Sequence, residues 1–207
     1  MRKIICSFLF LFLSLTATIR AWEGNVLIST PNSSIVLGSS GGDQLRFSYF
    51  GSRIEENQIN QIYDAWDGLG RPAYPVFGTS NRELSALQAV HADGNQTLDL
   101  GVESVEQTPV KDAVLTVITL KDRFYPFTVK LNYKAYQNFD MIETWTEIFH
   151  TEKKAVVLKR FDSGHFSIRR GDVWVSYLPG HWGAETQIVS EPLLSGMKVI
   201  KNMDGVR

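Results

Sequence analysis

An all-β, antiparallel sandwich carrying one short helix is the fold this sequence predicts, and three observations predict it. The dominant hydrophobic period is two, seen without a fault in Phe127-Thr128-Val129-Lys130-Leu131-Asn132-Tyr133-Lys134. Successive side chains of a strand point to opposite faces, so strict alternation marks a strand buried on one side. Short β-patterned runs recur along the chain, and turn-forming residues separate many of them. Only one stretch carries helical spacing, which leaves sheet packed on sheet as the way to close a core.

The runs lie at 26–30, 34–37, 44–50, 86–91, 97–105, 113–120, 127–134, 139–149, 155–161, 172–178 and 186–190. Residues 113–120 are rich in Val, Ile and Thr on both faces, as expected of a central strand covered from both sides. The turn signals are Pro31-Asn32, the Gly/Ser stretch 38–42, Asp93-Gly94-Asn95, Ser163-Gly164 and Arg170-Gly171-Asp172. The exception to the pattern is Ile59, Ile62, Tyr63 and Trp66, spaced i, i+3, i+4, i+7. With Glu55 and Glu56 suited to a helix N-terminus, they predict a helix over 55–66 that stops at Gly68. The following stretch 70–78 holds too much Pro and Gly for a regular element. Its Tyr74, Val76 and Phe77 require burial, so it is either a binding loop or a plain crossover.

The first residues read as an export signal. Arg2 and Lys3 precede an apolar run over 4–15, and Ala17 and Ala21 offer small residues for cleavage before Trp22. The run is shorter than the ~20 residues a membrane span needs, so a soluble periplasmic or secreted protein without a membrane anchor is expected. Residues 1–21 are the signal peptide in this reading, and 22–207 form one domain. The single cysteine, Cys6, leaves with the signal, so the remainder has no disulfide and depends on its packed core. Removing Arg2, Lys3 and Arg20 leaves 18 basic against 22 acidic residues, a net charge of −4. A mildly acidic chain with no basic cluster is a poor nucleic-acid binder. The sequons Asn32-Ser33-Ser34 and Asn95-Gln96-Thr97 matter only in a eukaryotic secretory pathway.

No complete catalytic apparatus is visible. The four histidines, His91, His150, His165 and His181, lack the paired spacing of zinc sites, and each reads as a surface or hydrogen-bonded residue. No metal or cofactor is therefore expected. Glu143 and Glu147 share a strand face with Trp145 between them, but four residues separate them by roughly 13 Å. Glycosidase pairs stand at about 5–5.5 Å or 6.5–9.5 Å, so these two are not a catalytic pair. Asp64 and Asp67 are i, i+3 neighbours at the end of the predicted helix, either as ligand contacts or as solvated charges. The loop Leu178-Pro179-Gly180-His181-Trp182-Gly183-Ala184-Glu185 sets a Trp between two glycines. Trp182 there either presents its indole to a sugar ring or caps a hydrophobic layer. Aromatic faces and carboxylates together favour carbohydrate among possible ligands.

Several segments resemble the N-terminal region of glycoside hydrolase family 36 α-galactosidases. They are Tyr74-Pro75-Val76-Phe77-Gly78 with Ala86-Leu87, His91-Ala92-Asp93-Gly94 with Leu98, Tyr125-Pro126-Phe127, and Asp140-Met141-Ile142-Glu143-Thr144-Trp145. The 178–185 loop, followed by Pro192-Leu193 and Gly196, is the closest match. With its export segment, the chain also resembles exported enzymes of Bacteroidetes. The resemblance implies a β-supersandwich followed by a catalytic (β/α)₈ barrel. It implies retaining hydrolysis of terminal α-linked galactose in melibiose- and raffinose-type oligosaccharides, without cofactor or metal. Both catalytic aspartates lie in the barrel, which this chain does not reach, so no catalytic residue is expected here and the chain is expected to be inactive alone. By the same resemblance, Trp182 walls the galactose pocket, and an aspartate, Asp64 in preference to Asp67, contacts sugar hydroxyls, in some members across a tetramer boundary. A homo-oligomer is thus implied. The rival readings are a stand-alone carbohydrate-binding module and a structural docking domain.

Overall fold

A computed structural model describes residues 22, 24–39, 44–63, 71–79, 84–167, 172–179, 183, 186–194 and 196–200. Residues 1–21, read from the sequence as a signal peptide, lie outside them. The chain forms two compact units, Met1–Ser167 and Ile168–Arg207.

The first unit is an antiparallel β-sandwich. One sheet runs β1 (Gly24–Ser29), β2 (Ser33–Ser39), β3 (Arg46–Ser52) and β4 (Arg71–Pro72), in that order. A second runs β6 (Leu100–Val110), β7 (Ala113–Asp122), β8 (Phe127–Tyr136) and β9 (Ile142–His150). A two-stranded sheet joins β5 (Leu87–Val90) to β10 (Val157–Phe161). The alternation of 127–134 places Phe127, Val129, Leu131 and Tyr133 on the inner face of β8, opposite Ile118 and Leu120 of β7. These side chains share one buried cluster with Ile28, Ile35 and Leu37 of the first sheet. Full burial of a side chain such as Phe127 is worth about 2–3 kcal/mol, so the cluster closes the sandwich without disulfides.

Several boundaries differ from the sequence reading, each for a physical reason. β6 continues past 105 through Pro109 to Val110. It is an edge strand, where a residue without an N–H costs no ladder bond. Gly38 and Ser39, read as part of a connection, lie inside β2, where Gly38 pairs with both Asn25 and Arg46. A strand flanked on both sides keeps its ladder as long as partners exist. β9 starts at Ile142 rather than 139, because Phe139 and Asp140 form the turn before it. β7 is central as expected, but only its inner face is fully buried; Leu115, Val117 and Thr119 on the other face are half-exposed.

The helix is tighter at its start than the spacing predicts. A 3-10 turn over Glu56–Gln58 leads into α1, Ile59–Tyr63. The Glu55 N–H donates to Gln58 Oε1 at 2.9 Å, using up one of the donors a helix start leaves free. Trp66 and Gly68 lie outside the described residues. In the stretch 70–78, Tyr74 and Val76 are buried while Phe77 is exposed. Gly78 holds φ +99°, and a Cβ there would stand 2.6 Å from the Thr97 Cα. The second unit contains a hairpin of β11 (Trp174–Tyr177) and β12 (Val189–Pro192).

Candidate functional site

The tryptophan loop is the connection of the β11–β12 hairpin. Trp174 pairs with Pro192 and Tyr177 with Val189, so the chain leaves and rejoins the ladder at neighbouring positions across residues 178–188. Two further contacts fix the base. The Ser176 and Ser190 hydroxyls lie 2.9 Å apart, and Lys198 Nζ meets Glu191 Oε1 at 2.7 Å while standing over the Tyr177 ring. Lys198 holds the Glu191 carboxyl below the usual glutamate range. Gly183 has φ +81°, with open space where a Cβ would stand, so the positive φ and not crowding calls for glycine. Trp182, His181 and Gly180 lie outside the described residues. Asp64 and Asp67 also lie outside them, in the segment between α1 and β4 of the first unit.

On β9, Glu143 and Glu147 serve separate networks. Glu143 lies 3.6 Å from Lys134 Nζ and accepts from the Tyr136 hydroxyl at 3.1 Å. Glu147 Oε1 accepts from the Trp145 indole N–H at 3.0 Å and from Asn132 Nδ2 at 3.2 Å. Neither arrangement leaves a free carboxylate facing the other.

An enclosed polar cluster centres on His91, which follows β5. Its ring has no exposed surface and stacks on Tyr125 at 3.7 Å with an 8° interplanar angle. Phe127 meets it edge-on. His91 Nδ1 lies 2.7 Å from Glu152 Oε1, and the Ala92 N–H donates to Glu152 Oε2 at 2.8 Å. A carboxylate only accepts, so Nδ1 carries the proton. Burial pushes the Glu152 carboxyl up, but the Ala92 N–H and the His91 ring outweigh it and hold it below the usual range. The Tyr125 hydroxyl donates to Asp93 Oδ2 at 2.8 Å, which binds the 93–95 turn to the same cluster.

A second hub is Asp140, in the turn before β9. Its Oδ1 accepts from the Thr30 hydroxyl and the Asn32 N–H, both at 2.7 Å, and Oδ2 accepts from Asn32 Nδ2 at 2.5 Å. These donors hold its carboxyl below the usual range. Glu152 was not singled out from sequence, and Asp140 entered only as the first residue of a family-like run, with no role given to it. Their partners lie 60 and 110 residues away, and no local pattern announces contacts of that kind.

These features define a β-sandwich unit whose turns are anchored by carboxylates, and a second unit that contains a hairpin. A family model, the glycosyl hydrolase family 36 N-terminal domain, matches residues 43–207. The chain therefore belongs to glycosyl hydrolase family 36, as part of its N-terminal domain. Among solved structures it is similar to the α-galactosidase of Lactobacillus brevis. That match has a TM-score of 0.72 and 16% identity, covering 85% of this chain and 28% of the other. It is similar to a family 36 α-galactosidase of Geobacillus stearothermophilus in complex with raffinose, at TM-score 0.71 and 21% identity, covering 84% and 28%. The same organism's enzyme in complex with stachyose matches at TM-score 0.68 and 19% identity, covering 84% and 28%. At such identities the likeness carries the fold, and this chain spans about 28% of the length of each of those structures. No curated protein matches the chain.

Proposed function

We propose that this chain is the N-terminal domain of an exported, retaining α-galactosidase. The substrates in this reading are oligosaccharides of the melibiose and raffinose type, cleaved at terminal α-linked galactose. Catalysis belongs to a barrel outside these residues, and this domain lines the sugar pocket and the contact between subunits of a homo-oligomer. Trp182 is the pocket wall, and Asp64, or else Asp67, accepts hydrogen bonds from sugar hydroxyls. The observation that carries the reading is the family match over 43–207, which includes the Pro-Gly-His-Trp-Gly loop. Its support in the fold is the β11–β12 ladder, whose two strands flank residues 178–188 in the sequence.

The test is Trp182→Ala in the protein joined to its catalytic barrel, assayed on melibiose. Losing a wall that orients the sugar is expected to lower kcat/KM by about 100-fold. Unchanged kinetics in a folded variant would remove Trp182 from the pocket.

A further inference from the structure

We propose that the Asp93–Gly94 link is a modification site, where isoaspartate forms by attack of the backbone on the Asp93 side chain, and that the Tyr125 hydroxyl holds this reaction in check. Asp–Gly pairs stand at 67–68, 93–94 and 204–205, and the second lies among the described residues. The chemistry is general to such pairs. The Gly94 nitrogen bonds to the Asp93 Cγ, its proton leaves with the carboxyl's hydroxyl as water, and a five-membered succinimide closes. Water then adds back to either carbonyl of the ring, so nothing is oxidised or reduced. Addition at the main-chain carbonyl breaks the original peptide link and leaves the backbone running through the side chain, one carbon longer. Glycine favours the attack, because no Cβ crowds the nitrogen and the backbone turns freely.

The turn supplies the access this reaction needs and opposes its geometry. Asp93 and Gly94 are both exposed, so water reaches the ring carbonyls. Gly94 has φ +92°, with open space where a Cβ would stand. Both reacting groups are nevertheless engaged. The Gly94 N–H donates to the His91 carbonyl at 2.9 Å. Asp93 Oδ1 accepts from the Asn95 N–H at 2.9 Å, and Oδ2 accepts from the Tyr125 hydroxyl at 2.8 Å. Attack must swing the carboxyl towards the Gly94 nitrogen, and these bonds resist the swing. The Asn95 N–H and, after it, the Tyr125 hydroxyl also hold the carboxyl below its usual range. The succinimide forms from the protonated carboxyl, which is thereby made scarcer.

Tyr125 is the contact that reaches the turn from elsewhere. Asn95 and His91 flank the pair and move with it, whereas Tyr125 lies between β7 and β8, 32 residues from Asp93. Its ring is fixed by stacking on His91. Its hydroxyl accepts from Asn95 Nδ2 at 2.8 Å, which leaves its own proton for Asp93. An inserted carbon shifts both the carboxyl and the Gly94 N–H away from these partners, so the modified turn loses its tie to Tyr125.

The experiment ages the full chain in mildly acidic buffer and counts isoaspartate at residue 93 by peptide mapping with electron-transfer fragmentation. A synthetic peptide of residues 83–111 is the unguarded reference. The folded chain is expected to isomerise about tenfold more slowly than the peptide, because bonds to a charged acceptor must open first. Tyr125→Phe keeps a ring on His91 and removes the hydroxyl, and a melting scan checks its fold; losing one such bond is expected to raise the rate about fivefold. Should that variant not fold, Asn95→Ala, which keeps its N–H but frees the hydroxyl, is expected to raise the rate in the same direction. Asp140→Ala, which loosens a turn outside the cluster, is expected to age at the parent's rate. A folded chain that ages as fast as the peptide overturns the proposal, as does a peptide that forms no isoaspartate at residue 93. A folded Tyr125→Phe, or in its place Asn95→Ala, at the parent's rate overturns it too. So does an Asp140→Ala chain that speeds up as much as the Tyr125 variant, because opening of the whole unit then sets the rate.

Discussion

Replacing Glu152 with Ala is expected to destabilise the first unit by about 3 kcal/mol. The side chain is 6% exposed and accepts two hydrogen bonds, from the His91 ring and the Ala92 N–H. Bonds to a charged acceptor are worth about 1.5–3 kcal/mol each, which sets a ceiling near 6 kcal/mol. Water entering the vacated space recovers part of that. Glu152→Gln keeps an oxygen for Ala92 but turns an amide towards His91 Nδ1, so about 1–2 kcal/mol is expected. Urea unfolding at pH 7 measures both variants. The pH dependence has a definite sign. The folded carboxyl is held below the ordinary glutamate value of 4.5, so it binds its proton more weakly than in the unfolded chain. Its contribution is full above that value and is lost as pH falls through the lower, folded one. The gap between the parent chain and Glu152→Gln should therefore close in acid. A Glu152→Ala chain within about 0.5 kcal/mol of the parent at pH 7 would refute the latch, since a buried acceptor of two bonds cannot be lost at so little cost. So would a gap that stays constant down to pH 3.

Two further outcomes are expected. Asp140→Ala should lower the melting temperature at pH 7, with the difference narrowing in acid, because the parent's depressed carboxyl contributes less as pH falls below its ordinary value. Thermal scans at pH 7 and pH 3 check this. Gly78→Ala should cost more than about 1 kcal/mol, since a positive φ is combined there with a Cβ held 2.6 Å from the Thr97 backbone; a neutral substitution in urea unfolding would show that this turn relaxes freely.

Strand positions were legible because burial on one face writes itself into the sequence as alternation. Residues 127–134 show this most plainly, and β8 spans Phe127–Tyr136. Strand ends were less legible, because they depend on neighbours. Pro109 stays in β6 only because that strand is an edge, and Gly38 stays in β2 only because partners flank it on both sides. The polar hubs were not legible at all. Nothing near Asp140 in sequence indicates Thr30, and nothing near Glu152 indicates His91. The residues proposed to face sugar, Trp182 and either Asp64 or Asp67, came from family resemblance rather than from spacing. For Trp182, the fold adds the ladder on either side of its loop.

The contacts of Asp140 and Tyr125 have a consequence for what the folded surface can accept. Asn32 and Asn95 each begin a sequon, and in each the side-chain nitrogen is already engaged, with Asp140 Oδ2 and with the Tyr125 hydroxyl. A glycan would be joined through that same nitrogen, leaving it one of its two hydrogens. Once folded, the chain holds both acceptor nitrogens in hydrogen bonds, although both asparagines stand exposed. In a host that glycosylates, a sugar attached at either asparagine would compete with that hydrogen bond for the orientation of the side chain, and so oppose the closing of its turn.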